Sequence, residues 1–415
     1  MQTFTNHLIK NQLTHIHTKK YKDITVVFRF LVPLTKEHAT LSAVLLYMME
    51  DRNIQFPTKH AMLEKKDELY GTTFTSGVIG YGQAMAIQIA SKVMDPSFGD
   101  EPELLLKHRD WFHTMIKEPL INHETLKEAK QQVRSALLRD LDYPQKYAQI
   151  KAFESLGASE IIAINIDGDC DVLDTITVEA CKTFHQTLLS QSSIHLYVVG
   201  NVDQPTIQKL YSSDGFLDTH QMITSAYTLD LANIKRKIET KTSTQTNLLK
   251  LYKTNVSIDH PLYLATRLAS IALGQLPTSY LFSEIREKRS LCYSISSQYI
   301  AFDGVCLIST GIDQQNIDIV CELIDQQVIA VKQIDDTRLH QAKTMLINAI
   351  KNSEDEILSM INLHYGYDIT MQSFDKDDMI QQIANVTPLD IHQAVSLWEP
   401  LLEYIVKGVN HEKNQ

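Results

Sequence analysis

The sequence has no apolar run of the roughly 18–20 residues that cross a bilayer as a helix. Its longest candidate, residues 24–34, is too short and carries Thr25 and Arg29. No membrane span is expected. Residues 1–23 are polar, include His7, His15 and His17, and hold no apolar core of the signal-peptide kind. These features point to a cytoplasmic protein. No block of Lys and Arg stands out among 39 basic and 50 acidic residues, and the net charge is −11. A nucleic-acid groove needs a basic stripe, so no nucleic-acid partner is expected. Cysteine is scarce: there are five, an odd number, with no C-x-x-C pair. That excludes a disulfide framework and a zinc ribbon, and reads as buried free thiols in a reducing compartment.

Signatures of chemistry are missing too. There is no G-x-S-x-G, no Walker loop, no G-x-G-x-x-G opening a helix, and neither H-x-x-E-H nor H-E-x-x-H. Gly80-Tyr81-Gly82 reads as a turn. Asp167, Asp169 and Asp171 alternate as in a calcium loop, but Val172 and Val178 stand where that loop needs glycine and its closing glutamate. No cofactor is implied, and no nucleophile–base set can be named.

What is present is a globular composition, 44% hydrophobic and 21% charged, over 415 residues, enough for two to four compact units. Residues 24–32 read as a buried strand. Residues 35–51 carry a helix-period apolar face, and Pro57-Thr58 opens a second helix that stops at Gly71. Residues 72–91 read as strands with glycine turns, 102–117 as a helix, and 124–156 as a long helical stretch broken near Pro144. Residues 193–200 form a strand and 204–211 a helix. A polar stretch, residues 212–246, reads as the connection between two halves. The second half expects a strand at 248–252, helices at 261–273 and 278–288, strands at 291–300 and 305–310, helices between 313 and 396, and a closing strand at 402–407.

Strands followed by runs of helices predict an α+β fold with mostly antiparallel sheets. The halves also echo each other. Asp67-Glu68-Leu69-Tyr70-Gly71, a strand, Gly82 and a strand match Arg286-Glu287-Lys288-Arg289-Ser290, a strand, Gly304 and a strand, about 220 residues on. That spacing indicates duplicated domains rather than a repeat array, and two such halves facing each other would enclose a clam-shell chamber.

The stretch from Tyr280 to Ser294, Tyr-Leu-Phe-Ser-Glu-Ile-Arg-Glu-Lys-Arg-Ser-Leu-Cys-Tyr-Ser, resembles the second-half signature of the pitrilysin/insulinase-type (inverzincin) metallopeptidases. Gly274 and Leu281-Phe282 sit where that family has its glycine and Leu-Phe. Thr177-Val178-Glu179 and Val199-Gly200-Asn201-Val202 are similar to its close of the first half. The resemblance implies residues 1–222 as a first peptidase-like half and 223–415 as a second. It places Arg286 and Tyr293 as substrate-binding residues, since a guanidinium and a phenol donate hydrogen bonds to a peptide carbonyl and to the oxyanion it becomes.

The same alignment shows what has been erased. The family's zinc helix carries H-x-x-E-H, whose histidines share one helix face and whose glutamate activates the bound water. Here the stretch is Ala43-Val44-Leu45-Leu46-Tyr47; a later helix keeps Glu128 but has Ser135 or a neighbour where the third ligand belongs. No metal ligand and no catalytic residue are expected. The nearest substitutes, His15 with His17 and His108 with His113, read as solvated or hydrogen-bonded histidines. The resemblance therefore implies an inactive homologue acting as the non-catalytic subunit of a heterodimer with an active zinc-bearing homologue that processes peptides. The alternative is a peptide-binding or scaffold protein with no role in catalysis.

Overall fold

The computed structural model describes residues 2–8, 11–211, 225, 227, 229–232, 234–243, 245–370 and 374–409. They form two units, Met1–Arg139 with Ile164–Ile223, and Asp140–Ala163 with Thr224–Gln415. The expected boundary at 222/223 falls outside the described residues. The segment 140–163, which the sequence reading assigned to the first half, groups with the second unit.

The first unit is built on a six-stranded sheet: β1 (Gln2–Leu8), β2 (Asn11–His17), β3 (Asp23–Pro33), β4 (Thr73–Tyr81), β5 (Ala84–Met94) and β6 (Ser193–Gly200), in the order β1-β2-β6-β3-β5-β4. The β2–β6 pair is parallel and the others are antiparallel. Central β3 is buried along nearly its whole length, as its β-branched and aromatic run requires. Its buried charge, Arg29, is satisfied by Gln88 Oε1 at 2.6 and 3.1 Å and Tyr81 Oη at 3.3 Å. Helix α1 (Lys36–Glu50) starts where Thr35 Oγ1 accepts the His38 N–H, 3.0 Å, an N-cap that satisfies a first-turn donor. Then come α2 (Lys59–Glu68), α3 (Leu104–Lys117) and α4 (His123–Asp142), then, in the second unit, α5 (Pro144–Glu154), and, back in the first, α6 (Cys170–Thr175), α7 (Val178–Gln191) and α8 (Gln204–Tyr211). Pro144 sits at the first position of α5, where its missing N–H costs nothing, so the long helical stretch divides at Tyr143.

The second unit holds β7 (Ile234–Thr242), β8 (Thr246–Lys253), β9 (Cys292–Ile300), β10 (Val305–Ile312) and β11 (Glu399–Val409), ordered β7-β11-β8-β10-β9, with only β7–β11 parallel. One face packs on α9 (Tyr263–Gly274), α10 (Ile317–Val331), α11 (Asp336–Asn352), α13 (Lys376–Asn385) and α14 (Pro388–Ser396), with α12 (Ile357–Asp368) alongside. The other face packs on α5 through Ala148, Ala152, Leu249, Leu251 and Leu307. Both faces of β8 are thereby covered, and all but its last residue are buried. Part of the polar stretch read as a connection is thus strand β7, docked on β11; its neighbours up to residue 224 lie outside the described residues.

The internal echo has a structural counterpart. Hairpins β4–β5 and β9–β10 both turn at a left-handed glycine, Gly82 and Gly304, each at φ 62°. Both follow a helical turn that ends in a left-handed residue, Tyr70 (φ 58°) and Ser290 (φ 54°).

Candidate functional site

Helix α1 carries the residues that the resemblance sets against H-x-x-E-H. Ala43 and Tyr47 lie one turn apart on one side, Tyr47 is 38% exposed, and Leu46 is buried. Methyl and isobutyl groups offer a metal no donor, and one phenol cannot hold zinc. The retained Glu128, on α4, pairs with Arg52 Nη2 and stands 3.6 Å from Lys59 Nζ. Lys59 also meets Asp51 at 2.8 Å, and that bond holds its ammonium above the usual range. Glu128 is therefore part of a four-member ion-pair cluster, and Ser135 is exposed on the same helix.

Among the described residues no three of His, Cys, Asp and Glu are grouped as metal ligands. His108 is buried with Nε2 2.7 Å from Ser91 Oγ, and burial pushes its imidazole down to about 3, so it stays neutral. His15 and His17 meet edge to face, ring centroids 6.2 Å apart. Asp169 accepts the N–H groups of Asp171 and Val172 at 2.9 and 3.1 Å and caps α6.

In the second unit, the helix expected at 278–288 is instead a π-helical turn, Phe282–Glu287, entering the edge strand β9. Such turns displace a side chain from the normal helical succession. Here Arg286 is turned onto aromatic faces, its guanidinium carbon 4.3 Å from the Phe282 ring and 5.7 Å from the Tyr293 ring. Its neighbours Lys288 and Arg289 are occupied by Glu284, at 2.8 and 3.1 Å. Arg286 has no carboxylate partner among the described residues. Tyr293 is 82% exposed. The two residues selected from the sequence thus stand together, with the phenol directed away from the core.

Strand β9 fixes this arrangement. Ile295 and Ser297 face α9, where Ser297 Oγ donates to Ser270 O at 2.6 Å and Gln275 Nε2 donates to Ser297 O at 3.0 Å. Ser294, Ser296 and Gln298 alternate outward. Among the described residues the strand ends its sheet, leaving one backbone edge outside the ladder. A cleft in the same unit, between α5 and the β8–β10–β9 face, went unread because no local motif joins residues so distant in sequence.

The profile of the peptidase M16 inactive domain matches residues 175–346, a span that includes Arg286 and Tyr293. A Bacillus subtilis protein described as a probable inactive metalloprotease, YmfF, is 23% identical over 97% of this chain and 96% of its own length. Residues 175–346 thus resemble the peptidase M16 inactive domain, and no H-x-x-E-H occurs in the sequence. Two solved structures share the fold. A conserved protein from Enterococcus faecalis superposes with a TM-score of 0.90 at 23% identity, covering 100% of both chains. The peptidase M16 inactive domain from Pseudomonas fluorescens does so at 0.81 and 16%, again covering 100% of both. Among the described residues no helix is long and apolar enough to cross a membrane.

Proposed function

We propose that this M16 homologue is the non-catalytic subunit of a cytoplasmic heterodimer, in which it holds peptide for a zinc-bearing homologue and lends it Arg286 and Tyr293. The observation that carries the reading is the Arg286–Tyr293 pair itself. Tyr293 is 82% exposed beside a guanidinium without a carboxylate partner among the described residues. A core tyrosine would be covered and a merely structural arginine would be paired. Both groups donate hydrogen bonds, and a peptide carbonyl needs donors that grow stronger as it becomes an oxyanion. The outer edge of β9 supports the same reading, since an extended peptide adds to a sheet edge through main-chain bonds. Zinc and its activated water would come from the partner, because α1 offers Ala43, Leu46 and Tyr47 in their place.

The test is peptidase activity of the purified chain alone and mixed with a zinc-bearing M16 homologue from the same cell. No activity alone and a gain on mixing are expected. Arg286→Ala and Tyr293→Phe should lower kcat/KM of the mixture by about 10²–10³-fold without loosening the pair, the effect of removing an oxyanion donor. Absence of both association and gain would sink the proposal. Association with neutral variants would instead make the chain a scaffold.

A further inference from the structure

We propose that the cleft between α5 and the face of the second sheet on which it packs is a carboxylate-binding site, which takes the C-terminal carboxylate of a peptide. Its volume, about 350 Å³, is that of a small-ligand site. All its walls belong to the second unit.

The deciding group is Asn247, on β8. Its side-chain nitrogen makes no hydrogen bond although the residue is only 3% exposed, and it lines the cleft. A buried amide donor left unpaired carries a desolvation penalty, so a ligand acceptor at this point recovers a penalty already built into the fold. The first turn of α5 supplies Gln145 and Lys146, and the next turn Gln149. Its N-cap residue, Tyr143, makes no side-chain capping bond. The positive end of this helix therefore lies at the cleft, where negative charge is favoured. On the opposite wall, Ser296 and Ser309 hydroxyls stand 3.3 Å apart, with Ser294 beside them.

None of the lining residues is Asp or Glu. Asp140, outside the lining, stands 3.7 Å from Lys146 Nζ. Donors therefore predominate, with one ammonium, which suits a singly charged carboxylate better than a cation. Leu249 and Leu307 line the floor and suit a short aliphatic side chain next to it. The carboxylate specificity stands on the cleft alone; its assignment to a peptide C-terminus rests on the proposed function.

The experiment labels asparagine with ¹⁵N and titrates the full chain with N-acetyl-leucine and, separately, with N-acetyl-leucinamide. Asn247→Ser identifies the Asn247 side-chain resonance. That resonance should move with the acid, and at least tenfold less amide-induced shift should appear at equal concentration. Asn247→Ala and the surface variant Lys146→Gln should each weaken the acid at least fivefold; the latter keeps the test sound if the buried variant fails to fold. No movement, or equal response to acid and amide, overturns the site. A hexapeptide ending in leucine is then compared as free acid and as amide. Binding of N-acetyl-leucine but of neither peptide keeps the carboxylate site and refutes the peptide source. Peptides that bind equally well with either end, in a chain that ignores N-acetyl-leucine, refute the site and leave the peptide-holding function standing.

Discussion

Replacing Asp303 by asparagine should stabilise the second unit at neutral pH and leave it unchanged in acid. Asp303 lies in the turn between β9 and β10, and its Oδ1 accepts the Tyr227 hydroxyl at 2.7 Å. Burial raises its carboxyl to about 6 from the ordinary 3.8, the tyrosine bond opposing only part of that rise. Between those two pH values the native state binds the proton that the unfolded chain has released, so stability falls as pH rises through the window. A rise of about two pH units corresponds to at most about 3 kcal/mol lost by pH 7. Asparagine keeps the carbonyl that Tyr227 needs and carries no charge at any pH. The variant should therefore match wild type near pH 4 and gain up to about 3 kcal/mol by pH 7. Urea unfolding in a Trp111→Phe background, read on the fluorescence of Trp398, reports on the second unit. Other carboxylates titrate alike in both proteins and cancel in the difference. A difference flat from pH 4 to 8 would refute the argument.

Two further predictions test packing in the same unit. Lys250 is 2% exposed, and its ammonium meets Asp325 at 2.5 Å, Glu403 at 2.8 Å and Cys321 O at 3.1 Å. Lys250→Met should cost about 1–3 kcal/mol, because Asp325 loses its ammonium and the Cys321 carbonyl its donor, while Glu403 keeps Arg236 at 2.7 Å; a neutral result in the same unfolding assay would show that water already screens them. A Cβ at Gly274 would stand 2.6 Å from the Ser297 backbone nitrogen. Gly274→Ala should therefore destabilise by about 1–2 kcal/mol, whereas Gly366→Ala in α12, with nothing within 4 Å, should stabilise by about 0.5–1 kcal/mol. Equal melting shifts for the two would contradict the close approach of α9 to β9.

Much of the fold was legible because it rests on local physics. The β3 text needs burial on both faces, Thr35 and Thr58 cap the helices that follow them, and Gly82 and Gly304 mark the two hairpin turns. The readings that changed depend on partners far away. β1 and β2 are polar text held as strands by pairing to one another and to β6. β7 is Lys-rich, as an edge strand can be, and is held by β11 some 170 residues on. The helix expected at 278–288 became a π-helical turn, which periodicity over so few residues cannot distinguish.

The sequence by itself determined that positions 43, 46 and 47 offer no set of zinc donors, since that depends only on which atoms their side chains possess. It also brought Arg286 and Tyr293 to notice, seven residues apart in one short segment. Only the tertiary structure decided that the guanidinium lies over two aromatic rings while the phenol faces outward. It alone placed α5 on the second sheet and left the Asn247 amide buried without a partner beside it. Composition and spacing report what a segment can do, but burial and hydrogen-bond satisfaction are set by residues distant in the chain.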